Sequence, residues 1–330
     1  MAGQLSDSTD SGDRAGIETE PTVRPSQLRK VLGFLLLGLI LAGVCWTVAK
    51  NWHSFIDTLH KVGIGGLLLS LAFGIVGEAA TCAQWRSVLA GLEVDFGLRA
   101  GSRLFLVSQL GKYLPGSVWP IVMQMEAGRE RGVNRKTVVT GYLITVVLSL
   151  ATGLILAGAL LPFSVPSALH RFWWALAALP LVLLLALPKS MPYLLDRLLR
   201  ILRRQPLGVR LSAASTLRAS GWAVLSWLGL GLHLAILAAA VGHFSWPTIA
   251  LCIGGVGLAV SAGVIVVPAP AGVGMRELVL GYVLVTVMTS VQALAVVVAS
   301  RIILILADLI LAAVAVALAG GRSAPAAQRI

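Results

Sequence analysis

A chain of 330 residues that is 57% hydrophobic and 12% charged is too apolar for a soluble protein, in which about 25% of residues carry charge. No interior of this size hides so much apolar surface, so the bilayer must act as its solvent. The net charge of +12 does not signal nucleic acid, because the Lys and Arg residues sit in short segments between apolar runs, where membrane orientation accounts for them.

Residues 1–24 are rich in Ser, Asp, Glu and Gly without an apolar period, which predicts a disordered cytoplasmic tail. Residues 25–320 read as one transmembrane domain and 321–330 as a short cytoplasmic tail. The first apolar run, 31–49, lies behind an acidic stretch and lacks a small-residue cleavage site, so it reads as a spanning helix and not as a secretory signal. Further runs fall at 64–81, 137–161, 172–187, 219–242, 248–267, 276–291 and 292–319. A span needs about 20 apolar residues, so 172–187 and 276–291 are short. The fold class expected is all-α, a polytopic helix bundle with about eight crossings.

Basic residues set the orientation. Arg24, Arg29 and Lys30 precede the first run, 82–103 carries Arg86, Arg99 and Arg103, and 126–136 carries Arg129, Arg131, Arg135 and Lys136. Residues 188–218 hold seven more, and Arg322 and Arg329 lie in the tail. The other side receives only Lys50, Lys61 and Arg171. Both termini are therefore expected in the cytoplasm, with the chain in the cell membrane.

This pattern constrains the apolar stretch 104–125. Basic loops flank it on both sides, so a single crossing would place one of them outside. A re-entrant hairpin that bends at Pro115 and Gly116 keeps both inside, with its non-helical backbone buried in protein or lining a wet cavity. A second break spans Pro268, Pro270, Gly272 and Gly274. There, two crossings and one hairpin entered from the outer side give the same parity. Two hairpins entering from opposite faces form the arrangement of an inverted repeat around a central substrate site.

Charged residues at these breaks are the candidates for function. Lys112 follows Gln109 and precedes Tyr113, the Pro115-Gly116 break and Trp119. A cation at that depth costs about 2.5–3.5 kcal/mol on insertion scales and needs a carboxylate, a phosphate or water. It can seat a phosphate beside the N–H groups freed by the break, or it can snorkel to the headgroups while Trp119 anchors the interface. Arg276 and Glu277, behind the second break, either pair locally or hold and orient a lipid phosphate. Glu78, Arg301 and Asp308 are isolated intramembrane charges, and Arg301 and Asp308, seven residues apart, share one helix face. A structural partnership among the three and a transport role are equally consistent with the sequence. His233 reads as a satisfied core or cavity residue.

Cys45, Cys82 and Cys252 show no paired spacing and the five histidines are dispersed, so neither disulfide nor metal is expected. The sequence contains no Walker loop, GxSxG, HExxH or nucleotide-binding glycine fingerprint, so no cofactor is expected.

Gly111-Lys112-Tyr113-Leu114-Pro115-Gly116-Ser117-Val118-Trp119 resembles the GKYxPGxxW-type motif of the lysylphosphatidylglycerol synthase transmembrane family, also called flippase-like. Pro268-Ala269-Pro270-Ala271-Gly272-Val273-Gly274-Met275-Arg276-Glu277 is similar to its P-x-P-G-G-x-G-x-R-E motif, with Ala271 in place of a Gly. Gln84-Trp85-Arg86-Ser87-Val88-Leu89 is similar to its RW-R-x-L-L segment, with Gln84 in place of a common Arg. The resemblance covers about 31–320. It implies a bundle with two re-entrant elements that moves or handles phospholipids or lipid-linked intermediates across the membrane. In two-part members a cytosolic domain carries aminoacyl transfer. None is present in this sequence, so lysylphosphatidylglycerol synthesis by this chain alone is not expected. The alternative role is a membrane component of a glycosyltransferase pathway that uses lipid-linked sugars. The partners implied are phosphate-bearing membrane lipids and, for the alternative, a separate transferase protein.

Overall fold

The computed structural model describes residues 49, 52–113, 118–186, 197, 211–265 and 274–320. The run 31–49 apart from Ala49, both tails, the stretch 187–210 apart from Arg197, and the break residues Pro115, Gly116, Pro268, Pro270 and Gly272 lie outside the described residues. Among those described there are nine α-helices and no strand. They are α1 (Trp52–Gly91), α2 (Leu98–Gln109), α3 (Trp119–Glu130), α4 (Arg135–Leu160), α5 (Ala168–Ala186), α6 (Ala213–Ala240), α7 (Trp246–Ile265), α8 (Met275–Leu284) and α9 (Ser290–Gly320). Five segments are long and apolar enough to cross a membrane: His60–Gly91, Arg135–Phe163, Ala213–Ala240, Trp246–Val264 and Ser290–Ala319. The chain is a multi-pass, all-α membrane protein.

Local chemistry sets several helix ends. The Asn134 side chain accepts the Lys136 N–H and starts α4, and the Ser212 hydroxyl accepts the Ser215 N–H and starts α6. Within α1, Gly63 holds φ at 62°, a left-handed conformation that glycine alone adopts at no steric cost, and the helix bends there. The long arm of α1 runs past the expected end at residue 81 to Gly91. Apolarity falls at Gln84 and Arg86, but helix persists because neighbouring helices satisfy Gln84 and bury Trp85 and Leu89.

The expected hairpin at 104–125 is two helices, α2 and α3, of 12 residues each. At about 18 Å apiece, neither spans a core of about 30 Å. They pack antiparallel: Ser108 meets Gln124, and Gly111 meets Trp119 near the break.

The run 276–291 is not a crossing. Its helix, α8, has ten residues, about 15 Å, half the thickness required. Gly255 of α7 packs on Val283 near the end of α8, so α8 folds back along α7 as a second hairpin. Apolar composition alone could not separate a short returning leg from a span.

The two hairpins belong to two halves. Exchanging α1–α4 for α6–α9 in order leaves the pattern of helix contacts unchanged. Thus α4 packs on α7 as α9 packs on α2; α1 packs on α4 as α6 packs on α9; and α1 packs on α6 across the centre. Facing pairs on α1 and α6 are Ser70–His233, Thr81–Ser226 and Gly91–Ser215, so these helices run antiparallel and the halves are inverted. Gly77 and Gly229 let them approach closely, since a Cβ on Gly229 would lie 2.8 Å from the Gly77 nitrogen. α5 stands outside the repeat.

Candidate functional site

Four elements bring charge to one place inside this apolar bundle. The short turn Leu110–Tyr113 closes α2 and carries Lys112. Lys112 Nζ lies 2.7 Å from Asp308 Oδ2 on α9 and 3.7 Å from Glu78 Oε1 on α1. The Tyr113 hydroxyl donates to the same Asp308 Oδ2 at 2.5 Å. Asp308 is only 3% exposed, Glu78 12% and Lys112 23%. Lys112 is therefore held by carboxylates inside the bundle and does not snorkel outward; the pairing offsets the cost of placing a cation there.

The second hairpin supplies the rest. Gly274, at φ 92°, begins α8, and the Glu277 carboxylate turns back to accept the Gly274 N–H at 2.6 Å. This caps the helix and fixes the angle at which α8 leaves the break. The other oxygen of Glu277 takes Arg301 Nε of α9 at 3.0 Å. Arg276, one residue earlier, is half-buried. It adjoins Glu277, whose carboxylate pairs with Arg301. Lys112 and Glu277, from opposite hairpins, thus both pair with charges on α9.

Glu78, Arg301 and Asp308 do not form a closed set of their own. Asp308 and Glu78 serve the first hairpin, while Arg301 serves the second. Gln109 ends α2 half-buried, and Trp119 opens α3 on the exposed side, its Cβ against Gly111. Gly274 is the only break residue of the second motif among those described. His233 is core: its Nδ1 bonds Ser70 Oγ at 2.7 Å and its Nε2 bonds Ser300 Oγ at 2.8 Å, tying α1, α6 and α9 together beside the charges.

The sequence reading did not identify the supports of the first hairpin. The Trp85 indole donates to Gln124 Oε1 at 3.0 Å, and the Gln124 amide donates to Ser108 Oγ at 3.1 Å. All three are buried, so α1 grips both legs. Gln84, one residue earlier, donates to the Thr145 carbonyl and accepts the Ser149 hydroxyl on α4. A polar Gln124 deep in an apolar stretch was the available signal. The Gln84–Leu89 motif is thus the seat of the hairpin; it does not itself reach the charge cluster.

At the open end of the first hairpin, a cavity of about 790 Å³ is lined by Arg99, Arg103 and Arg131, by Glu126 and Glu130, and by Leu318 and Ala319 at the end of α9. At the opposite end a cavity of about 410 Å³ lies between Ser164–Pro166 and Gly242–Thr248. Basic residues thus gather at one end of the bundle, where α9 also finishes.

Residues 31–312 match the family described as lysylphosphatidylglycerol synthase TM region, and the chain belongs to that family. No curated protein matches the chain at a significant level.

Proposed function

We propose that this member of the lysylphosphatidylglycerol synthase transmembrane family binds the phosphate of a phospholipid or lipid-linked intermediate at the meeting point of its two hairpins, and passes that lipid across the cell membrane. One observation carries the reading: Lys112 of the first hairpin pairs with Asp308, and Glu277 of the second, next to Arg276, pairs with Arg301 seven residues earlier on the same helix, so the two inverted halves bring their charged breaks to one helix inside the bundle. A charged cluster between inverted repeats is where membrane transporters place a substrate, and intramembrane charges mark such pathways. A headgroup phosphate bound between Lys112 and Arg276 would leave its acyl chains in the bilayer. The basic end of the bundle, with the end of α9, is assigned to the cytoplasm.

The test is transbilayer movement in reconstituted vesicles. Phospholipids labelled on one acyl chain with a fluorophore quenched from outside by dithionite report the rate. Wild type is expected to exchange them faster than empty vesicles, and the Lys112→Ala/Arg276→Ala pair to fall to the empty-vesicle rate. Equal rates for wild type and the pair would refute the reading.

A further inference from the structure

The charges of the cluster balance. Lys112 pairs with Asp308 and Glu78, Arg301 pairs with Glu277, and Arg276 adjoins Glu277, three cations with three carboxylates. An anionic headgroup that settles between Lys112 and Arg276 competes for a lysine already engaged, because Lys112 Nζ lies 2.7 Å from Asp308. It must take Lys112 from Asp308. The carboxylate left behind is 3% exposed, with the Tyr113 hydroxyl as its remaining close partner. An uncompensated carboxylate at that depth is costly, and protonation removes the cost.

Resting on the proposed headgroup site, we infer that binding of a singly negative phospholipid is coupled to uptake of one proton by the Asp308–Glu78 carboxylate pair. The step balances: the headgroup brings one negative charge, one proton leaves bulk water for the carboxylate pair, and the cluster stays neutral. Asp308 is met by Lys112 and Tyr113 from the hairpin turn, and Glu78 of α1 shares that lysine; Arg301, seven residues away on the same helix, pairs with Glu277 of α8 next to Arg276, and His233 of α6 bonds Ser300 of α9. His233 is bonded through both ring nitrogens. Arg276, Arg301 and Glu277 remain with the second hairpin, so the proton goes to the pair that loses its lysine. The same arithmetic sets the discrimination: a zwitterionic headgroup carries its own cation and enters without a proton.

The experiment is titration calorimetry of the full chain in a non-ionic detergent, in two buffers of different ionisation enthalpy. Dihexanoylphosphatidylglycerol serves as the anionic probe and dihexanoylphosphatidylcholine as the zwitterionic one. Wild type is expected to take up about one proton per anionic lipid, with affinity falling about tenfold per pH unit as pH rises. The zwitterion is expected to take up none. In Asp308→Asn the cluster carries one excess positive charge, so the anionic lipid should bind without proton uptake. Equal heats in both buffers for wild type with the anionic lipid would overturn the coupling while leaving the headgroup site standing. If neither lipid binds wild type, the site reading itself falls. Inorganic phosphate is expected to give no binding heat, and saturable binding of it as tight as the lipid's would assign a soluble anion instead. If Asp308→Asn does not fold, the contrast between the two lipids on wild type still decides.

Discussion

Asp308 and Arg301 stand seven residues apart on one face of α9, about 10 Å along its axis, and each is held by a different hairpin. Asp308 takes Lys112 of the first, and Arg301 takes Glu277 of the second. One straight helix therefore fixes the spacing between the two broken segments.

Removing Lys112 should cost stability as well as transport. Lys112→Ala leaves Asp308 and Glu78 as neighbouring buried carboxylates without their cation, and breaking a buried pair from one side costs about 3–5 kcal/mol. Unfolding in detergent should show a loss of that order. Lys112→Met combined with Asp308→Leu should recover most of the stability and none of the lipid movement. No stability change in Lys112→Ala would mean that the pair contributes nothing to the fold.

Trp85→Phe keeps the aromatic packing against Phe96 and Phe105 but strips the donor from Gln124 Oε1. An unpaired buried acceptor costs about 1–3 kcal/mol. The same unfolding measurement should show that loss, and Trp85→Phe/Gln124→Leu should be less destabilised than Trp85→Phe alone, since the buried amide is removed with its donor while the Ser108 hydroxyl keeps its bond to the Phe105 carbonyl.

Gly229→Ala places a methyl 2.8 Å from backbone of α1. Backbone cannot rotate away as a side-chain tip can, so the helices must separate. Overpacking of this kind costs about 1–3 kcal/mol. Gly221→Ala on the same helix, where a Cβ meets open space, should be neutral or slightly stabilising.

The hairpin makes a directional prediction. Exposed Glu93 and Arg131 flank α2 and α3, and Phe244, 75% exposed, lies at the far end of α6. With the native cysteines removed, Glu93→Cys and Arg131→Cys should react with an impermeant maleimide from the same side of the membrane, and Phe244→Cys from the other. Opposite sides for Glu93→Cys and Arg131→Cys would show that 98–130 crosses the bilayer.

Glu277 separates capping from pairing. Glu277→Gln keeps an oxygen for the Gly274 N–H while giving up the charge opposite Arg301; Glu277→Ala loses both. The additional loss in Glu277→Ala relative to Glu277→Gln should be about 1 kcal/mol, the usual worth of a helix cap, by thermal unfolding in detergent.

Much of this architecture could be read from residue patterns. Basic loops on both sides of 104–125 required a hairpin, and α2 and α3 fold back as that demanded. The second break was visible in its prolines and glycines, but whether its return leg crossed was not, because two crossings and one hairpin give the same parity and the run 276–291 was short for a span without being excluded as one. Lys112, Arg276 and Glu277 stood out because charge in an apolar run needs a partner. The partner itself was out of reach: Glu78 and Asp308 lie far along the chain, and only the packing of α1 and α9 against the hairpin brings them to Lys112. For the same reason, the shared face of Arg301 and Asp308 left a partnership and a transport role equally open, and the structure adds that Asp308 meets Lys112 while Arg301 meets Glu277. The end of α1 was cut short at residue 81 because Gln84 reads as a loop residue until α4 supplies its hydrogen bonds.

The contact pattern of the repeat has a consequence for how the chain is held together. The first hairpin lies against α9 of the second half, and the second hairpin lies against α4 of the first. Each half therefore keeps its broken helices in the other's grip, in the manner of a domain swap closed within one chain. Fragments 1–186 and 211–330 made separately should be poorly folded, and made together they should reassemble. The two charged breaks are then never the property of one half: whatever displaces one hairpin from its clasp disturbs the partner helix that spaces the other.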